Sequence, residues 1–156
     1  MAPKIPDAPN PLLPPPLIFA LFFIAGALIN QAFPLQFLPL GWNMIPGVLL
    51  SLGGLGIFIA AALTMRKFKT PVSPYKTAKT LITTGPFLRS RNPIYLALIW
   101  IYLGLASFLA SWWPIFLFPF LVYVLDRFVI AREEAHLEKR FGNVYRDYKA
   151  STRRWM

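Results

Sequence analysis

Residues 8–65 read APNPLLPPPLIFALFFIAGALINQAFPLQFLPLGWNMIPGVLLSLGGLGIFIAAALTM, 58 positions without a charged side chain. A second run, NPIYLALIWIYLGLASFLASWWPIFLFPFLVYVL, fills the 34 positions 92–125 in the same way. A helix needs about 20 apolar residues to cross the hydrocarbon core of a bilayer. The first run therefore holds two spans, and the second holds one long span or two short ones. The basic residues decide between these. Arg66, Lys67, Lys69, Lys76, Lys79, Arg89 and Arg91 lie between the runs, and Arg127, Arg132, Lys139, Arg140, Arg146, Lys149, Arg153 and Arg154 follow the second. Short basic loops stay cytoplasmic. If both clusters do so, an even number of spans separates them and the second run is a hairpin. The expected spans are 17–33, 45–65, 94–110 and 112–130, with both termini cytoplasmic. The connections 34–44 and around Ser111 carry no charge, as outside loops should. Trp42, Trp112 and Trp113 fall where an interfacial aromatic belt would place them. The turn at Ser111 is very short, and Pro114 and Pro119 predict a kink in the fourth span.

Composition excludes most other classes. Of 156 residues, 56% are hydrophobic, 16% aromatic and only 14% charged, and the net charge is +10. Mean hydropathy is +0.53. A water-soluble enzyme of this size could not hide that much apolar surface, and a disordered chain needs the opposite composition. With no cysteine and one histidine, disulfide scaffolds, thiolate nucleophiles and multi-histidine metal sites are out, and no metal site is expected. The fold class expected is all-α: an integral membrane protein with about four transmembrane helices, a structured cytoplasmic loop and a short helical tail. Its parts are a Pro-rich cap (1–16), a two-span hairpin (17–65) and a core with loop, second hairpin and tail (66–156). A cleaved leader is disfavoured, because Lys4 is balanced by Asp7 and prolines crowd the segment.

Several residues carry more than a topology signal. In 66–92, Pro71, Pro74 and Pro86 leave no room for a long helix. Pro93 suits the first turn of the third span, whose free N–H groups attract an anion. Glu133 and Glu134 stand together near the membrane edge, where acids are costly unless paired or wet. They are a solvated helix surface or a site for a cationic ligand. Arg91 is a topological anchor, a partner for lipid phosphate, or a fork for a carboxylate or phosphate. Gly53, Gly54 and Gly56 read as close helix packing. His136 reads as an exposed tail residue. The basic clusters are explained by topology and anionic lipid better than by nucleic acid.

The motifs also have an order. Thr84-Gly85-Pro86-Phe87 comes first, then Arg91-Asn92-Pro93-Ile94-Tyr95, a hydrophobic hairpin, Arg132-Glu133-Glu134, and Phe141-Gly142-Asn143-Val144-Tyr145-Arg146-Asp147-Tyr148. This order resembles the isoprenylcysteine carboxyl methyltransferases and their relatives among the phospholipid methyltransferases, over about residues 73–153. The resemblance implies methyl transfer from S-adenosylmethionine by an enzyme embedded in the membrane. It implies a cofactor pocket open to the cytoplasm and a lipophilic or prenylated acceptor entering from the bilayer. Carried over by motif, Arg91 and Tyr95 line the reaction site with Glu134. Arg91, Asn92, Glu133 and Glu134 hold the cofactor, and Gly85 and Pro86 shape the pocket wall. Changing Arg91 or Glu134 is then expected to abolish cofactor binding in a folded protein. Asn92 departs from the histidine of methyl-esterifying members, a departure shared with many small prokaryotic ones, and Asn cannot titrate near neutrality.

The chemistry of the residues suits this reading. S-adenosylmethionine carries a sulfonium, an ammonium and a carboxylate. Glu133 or Glu134 can serve the cationic groups, and Arg91 with the third-span start can serve the carboxylate. Arg91 could instead hold an acceptor carboxylate. An amine or thiol acceptor would need a proton removed, with Glu134 or Tyr95 nearest in the motifs. Two other classes compete: an NADPH-dependent membrane reductase of the sterol reductase type, and a non-enzymatic protein that binds anionic lipid or a partner through its basic loops. The short chain and the few phosphate-binding cations near Arg91 argue against the reductase.

Overall fold

The computed structural model describes residues 13–37, 39, 41–72 and 78–156. Residues 1–12 of the Pro-rich cap, and Pro74 and Lys76 of the loop, lie outside these. Among the described residues six α-helices follow in order: α1 (Pro15–Ala32), α2 (Met44–Lys67), α3 (Pro93–Leu109), α4 (Trp112–Val124), α5 (Ala131–Phe141) and α6 (Asn143–Ser151). Among the described residues there is no β-strand, only an isolated bridge between Gln36 and Ser111. Among the described residues of the loop between α2 and α3 there is a 3₁₀ turn, Gly85–Leu88, and no long helix, as its prolines predict. Each expected span falls on a helix.

Prolines mark the helix starts. Pro15 and Pro93 open α1 and α3 in the first turn, where a missing N–H leaves nothing unsatisfied. Ser111 caps α4 by accepting from Trp113 N–H at 3.2 Å. Beyond Pro119, a π-helical turn at Leu125–Ile130 carries α4 into α5 without a break, so that Trp112–Phe141 is one helix of 30 residues. At about 1.5 Å per residue it is roughly 45 Å long, against about 30 Å of hydrocarbon. The uncharged part ends at Leu125, and Asp126 and Arg127 follow inside the π turn. Six of the eleven residues of α5 are charged, a composition that suits water beyond the hydrocarbon and not its interior.

α1 and α2 do not pair mainly with each other. α2 makes the largest interface of the molecule, with α3, while α1 lies on α4 and touches α3. Glycine lets α2 approach: a Cβ on Gly53 would lie 2.9 Å from the Trp100 ring, and one on Gly54 would lie 2.7 Å from the Ala97 carbonyl. Gly56 of the same run faces open space. Between α1 and α4, Gly26 meets Pro114 in the same way. At the centre Tyr102 Oη donates to the Pro114 carbonyl at 2.8 Å. The rings of Phe19, Phe23 and Phe118 lie 6.1–6.2 Å from its own.

The outer faces are apolar. Leu49, Leu52 and Leu63 of α2 are 59–64% exposed, and Leu21, Ile24 and Leu28 repeat the pattern on α1. So large an apolar exterior belongs in lipid. α1, α2 and the long Trp112–Phe141 helix are long and apolar enough to cross a membrane, and α3 is a shorter apolar helix of 17 residues.

The two ends of the bundle differ. The uncharged connections meet at one end, where Phe37 N–H donates to the Ala110 carbonyl at 3.1 Å and Trp112 N–H to the Leu35 carbonyl at 3.0 Å. Trp113 Nε1 donates to the Phe33 carbonyl, a free helix-end acceptor, at 2.7 Å. The opposite end gathers the α2–α3 loop, the start of α3, α5, α6 and the tail. It carries the charge.

Candidate active site

The charged end is tied together by the last few residues of the chain. Arg91 N–H donates to the Arg153 carbonyl at 3.0 Å. The Arg154 carbonyl accepts from Ser90 Oγ at 3.0 Å and from Asn92 Nδ2 at 3.3 Å. These bonds hold residues 90–92 rigid as they feed α3, and they engage the Asn92 side chain with the tail.

The Arg154 side chain then joins two carboxylates. Its Nε and Nη2 reach Glu134 Oε1 and Oε2 at 3.0 and 2.6 Å, and Nη1 reaches both oxygens of Asp126 at 2.9 and 2.8 Å. Only a planar guanidinium can fork in this way. Its hydrogen bond to Glu134, more than any other contact, holds the Arg154 pKa above its ordinary value. Glu134 also meets Arg91 Nη2 at 3.1 Å. The carboxylate of Glu134 is thus buried between two arginines, one from the α3 start and one from the tail. It is not among the residues that line the neighbouring cavity.

Glu133 points elsewhere. One residue along a helix turns about 100°, and Glu133 accepts from Tyr95 Oη at 2.6 Å. Both residues line a cavity of about 420 Å³. Its polar wall also includes Arg91, Asn92 and His136, while Phe58 and Met65 of α2 and Leu98 of α3 form an apolar wall. Arg91 Nε is buried and finds no hydrogen-bond partner among the described residues.

Burial raises the Glu133 carboxyl from 4.5 to about 7, the Tyr95 hydrogen bond opposes the shift, and the Glu134 charge adds to it. A carboxyl that keeps its proton to higher pH in the folded state favours folding at the acid side. That contribution is whole below 4.5 and is lost as pH rises through about 7. The unfolding midpoint in detergent is therefore expected to fall between pH 5 and pH 8 by a component that Glu133→Gln lacks. Equal pH slopes for the two proteins would refute this.

Gly85 and Pro86 build the wall from behind. Gly85 has φ +62°, and a Cβ there would lie 3.2 Å from Thr64 Oγ1 of α2, so glycine suits both the backbone and the space. The Pro86 carbonyl accepts from Arg89 and Ser90 N–H at 3.2 and 3.3 Å. Neither residue lines the cavity; Phe87, which they position, does. The Phe87 carbonyl accepts from Tyr148 Oη at 2.6 Å. Burial pushes the Tyr148 phenol up to about 12, so it stays a donor.

His136 requires a correction. Expected as an exposed tail residue, it is buried, 7% exposed, and lines the cavity. The reason is helical spacing: it lies three residues after Glu133 and so on the same face of α5, followed by Leu137, another lining residue. Asp126 and Arg154 were also absent from the expected site. The only sequence signal for them was an acid and a base at opposite ends of the charged tail, which does not specify a pair.

Fold and site together define an integral membrane protein of α-helices, with a half-polar, half-apolar cavity at the charged end of its bundle. Residues 42–144 match the model of the phospholipid methyltransferase family, and the chain belongs to that family. The matched region runs from just before α2 into α6 and leaves out α1. A Haemophilus influenzae protein described as uncharacterized is 39% identical over 66 residues, which is 40% of this chain and all of that protein. No solved structure matches.

Proposed function

We propose that the protein transfers a methyl group from S-adenosylmethionine to a lipid-type acceptor, at a site facing the cytoplasm. One observation carries this reading. Arg91, Asn92 and Tyr95 at the start of the second hairpin, and Glu133 after it, converge on one cavity.

The residues fit the methyl donor. Glu133 offers the cavity an anion for an ammonium or sulfonium. Arg91, whose side chain lines the cavity, offers a guanidinium for a carboxylate, and the α3 start adds free N–H groups. The volume lies in the range of about 300–1,000 Å³ that small-molecule sites occupy. When bound, S-adenosylmethionine supplies a methyl group on a cationic sulfur that a lone pair can displace. The chain aligns the two reactants and excludes water, which for an in-line displacement is most of the work. Phe58, Met65 and Leu98 receive the apolar part of the acceptor, an acyl or prenyl chain arriving from the bilayer. The basic loop and tail support a cytoplasmic placing of this end.

Calorimetric titration of the detergent-purified protein with S-adenosylhomocysteine is expected to give saturable binding, and NADPH is expected to give none. Glu133→Gln is expected to weaken S-adenosylhomocysteine about 10- to 100-fold, the worth of a hydrogen bond to a charged group. Binding of NADPH alone to folded protein would replace this reading with a reductase.

A further inference from the structure

The end of α2 carries a residue that its backbone does not favour. Lys69 N–H donates to the Arg66 carbonyl at 3.0 Å, and Thr70 N–H to the Met65 carbonyl at 2.9 Å. This pair of bonds is the helix ending that normally turns on a left-handed glycine. Here the turning residue is Lys69, with φ +50°. Glycine enters that region freely, while a residue with a Cβ is strained there. A cation near the last carbonyls of a helix is favourable, but Arg66 and Lys67 already fill the last turn of α2. A lysine at a glycine position therefore points to a use for its side chain.

Lys69 lines a second hollow, beside the candidate active site. Arg66 of α2 and Lys79 of the following loop line it too, with Ala62, Pro71 and Val72 as apolar neighbours. All three cations are exposed, and among the described residues none of them forms an ion pair. Their own part of the chain offers no acid, because residues 8–125 contain neither aspartate nor glutamate. Asp126, Glu134 and Glu138 are bound to other cations, and Glu133 to Tyr95. The positive-inside tendency accounts for cations at this end of the bundle. It does not account for three of them around one hollow, or for one of them on a strained backbone.

We propose that Arg66, Lys69 and Lys79 hold the phosphate of an anionic lipid headgroup. A phosphate offers acceptor oxygens to all three, and a guanidinium can meet it with two parallel donors. Depth selects a lipid over a soluble phosphate. Ala62 lies one turn before Arg66, on a helix long and apolar enough to cross a membrane. The hollow thus reaches from the charged end of α2 into its apolar part, and suits a headgroup with the start of its chains. A zwitterionic headgroup fits worse, since its ammonium would meet three cations and no carboxylate among the described residues. This lipid is not the methyl acceptor: Arg91, Tyr95 and Glu133 are not among the residues of the hollow. The two cavities share one stretch of wall, Thr70, Pro71 and Val72, so a bound headgroup braces the candidate active site from outside.

Energy transfer from the tryptophans to a pyrene-tailed phosphatidylglycerol, in micelles of a neutral detergent, reads occupancy without any methyl donor. Saturable transfer is expected. Unlabelled phosphatidylglycerol should displace the probe, and phosphatidylcholine should need about tenfold more. Inorganic phosphate in excess should not displace it. Lys69→Gly removes one cation and the strain together. Its affinity for the probe should fall about fivefold, the worth of one cation at an anionic surface, while its unfolding midpoint stays at or above that of wild type. Arg66→Gln and Lys79→Gln should each weaken the probe by about as much. Lys67→Gln removes an exposed cation of the same helix end that is outside the hollow, and should change affinity by less than about twofold.

Equal displacement by phosphatidylcholine overturns the proposal, because the hollow is then a general lipid surface. Equal losses for Lys67→Gln and Lys69→Gly overturn it too, because the effect is then a diffuse field of charge. Displacement by inorganic phosphate as effective as by phosphatidylglycerol overturns the lipid and leaves a soluble phosphate as the ligand. A lower unfolding midpoint for Lys69→Gly would assign that lysine to the fold. The site would then rest on Lys79→Gln against Lys67→Gln, and equal losses there overturn it. None of these readings involves S-adenosylhomocysteine, so failure here leaves the methyltransferase reading standing, and failure of that reading leaves this site standing.

Discussion

Glu134→Ala is expected to destabilise the protein by about 3–5 kcal/mol, the penalty for breaking a buried ion pair from one side. Two guanidinium groups would be left facing each other. Arg91 is 9% exposed and loses its carboxylate partner at 3.1 Å. Arg154 keeps only Asp126, whose side chain is 37% exposed. The damage spreads because Glu134 joins three pieces of chain: α5, the residues entering α3, and the tail. Once the tail is released, Ser90 and Asn92 lose their carbonyl acceptor at Arg154. Binding of S-adenosylhomocysteine should then be lost through displacement of Arg91. Chemical unfolding in detergent measures the first effect and calorimetry the second. Glu134→Gln keeps the shape and one acceptor oxygen and should fall between wild type and alanine. A Glu134→Ala protein within 0.5 kcal/mol of wild type would remove Glu134 from its central place.

Gly54→Val is expected to separate α2 from α3. A Cβ at Gly54 would lie 2.7 Å from the Ala97 carbonyl and 3.0 Å from the Ile101 nitrogen. Both are backbone atoms in a helix, so neither can swing away. Overpacking of this kind is destabilising by about 1–3 kcal/mol, occasionally more. Inside a membrane, helices associate largely through close packing of this sort, so little else holds the pair. α2 also carries Phe58 and Met65, two residues of the apolar cavity wall, and ligand binding should weaken with stability. Gly56→Val is the control. Two positions further on, its Cβ meets nothing within 4 Å, and its effect should stay within about 0.5 kcal/mol, as for other surface changes. Equal losses for the two variants would mean that helix propensity, not the α2–α3 contact, sets the cost.

Both expectations depend on features of very different legibility. The spans could be read from charge alone. Residues 17–33, 45–65 and 94–110 match α1, α2 and α3 to within two residues at most ends, because a membrane punishes a charge in a span more than any propensity can offset. The role of glycine was also readable, since Gly53 and Gly54 in a lipid-facing helix serve little else. What could not be read was which groups meet. Glu133 and Glu134 looked equivalent as neighbours in sequence; only the placement of Tyr95, Arg91 and Arg154 around α5 tells them apart. The tail arginine gave no sign of its fork, because its two partners lie 20 and 28 positions away. His136 was misread because hydropathy treats a histidine among charges as a surface residue, whatever face it occupies.

The π turn at Leu125–Ile130 also set a limit on that reading. A π turn amounts to one added residue in an otherwise α-helical ladder, which shifts the angular phase of everything after it by about 100°. A helical wheel drawn from Trp112 onward therefore fails at α5. The two segments obey separate phases: one sets which residues face lipid, the other aims Glu133, Glu134 and His136. Removing a single residue between 125 and 130 would leave a well-formed helix of almost the same length. It would turn α5 about its own axis, carrying Glu134 away from Arg91 and Glu133 away from Tyr95. The offset acts as a one-residue timing mark between the part of the chain that answers to the bilayer and the part that answers to chemistry.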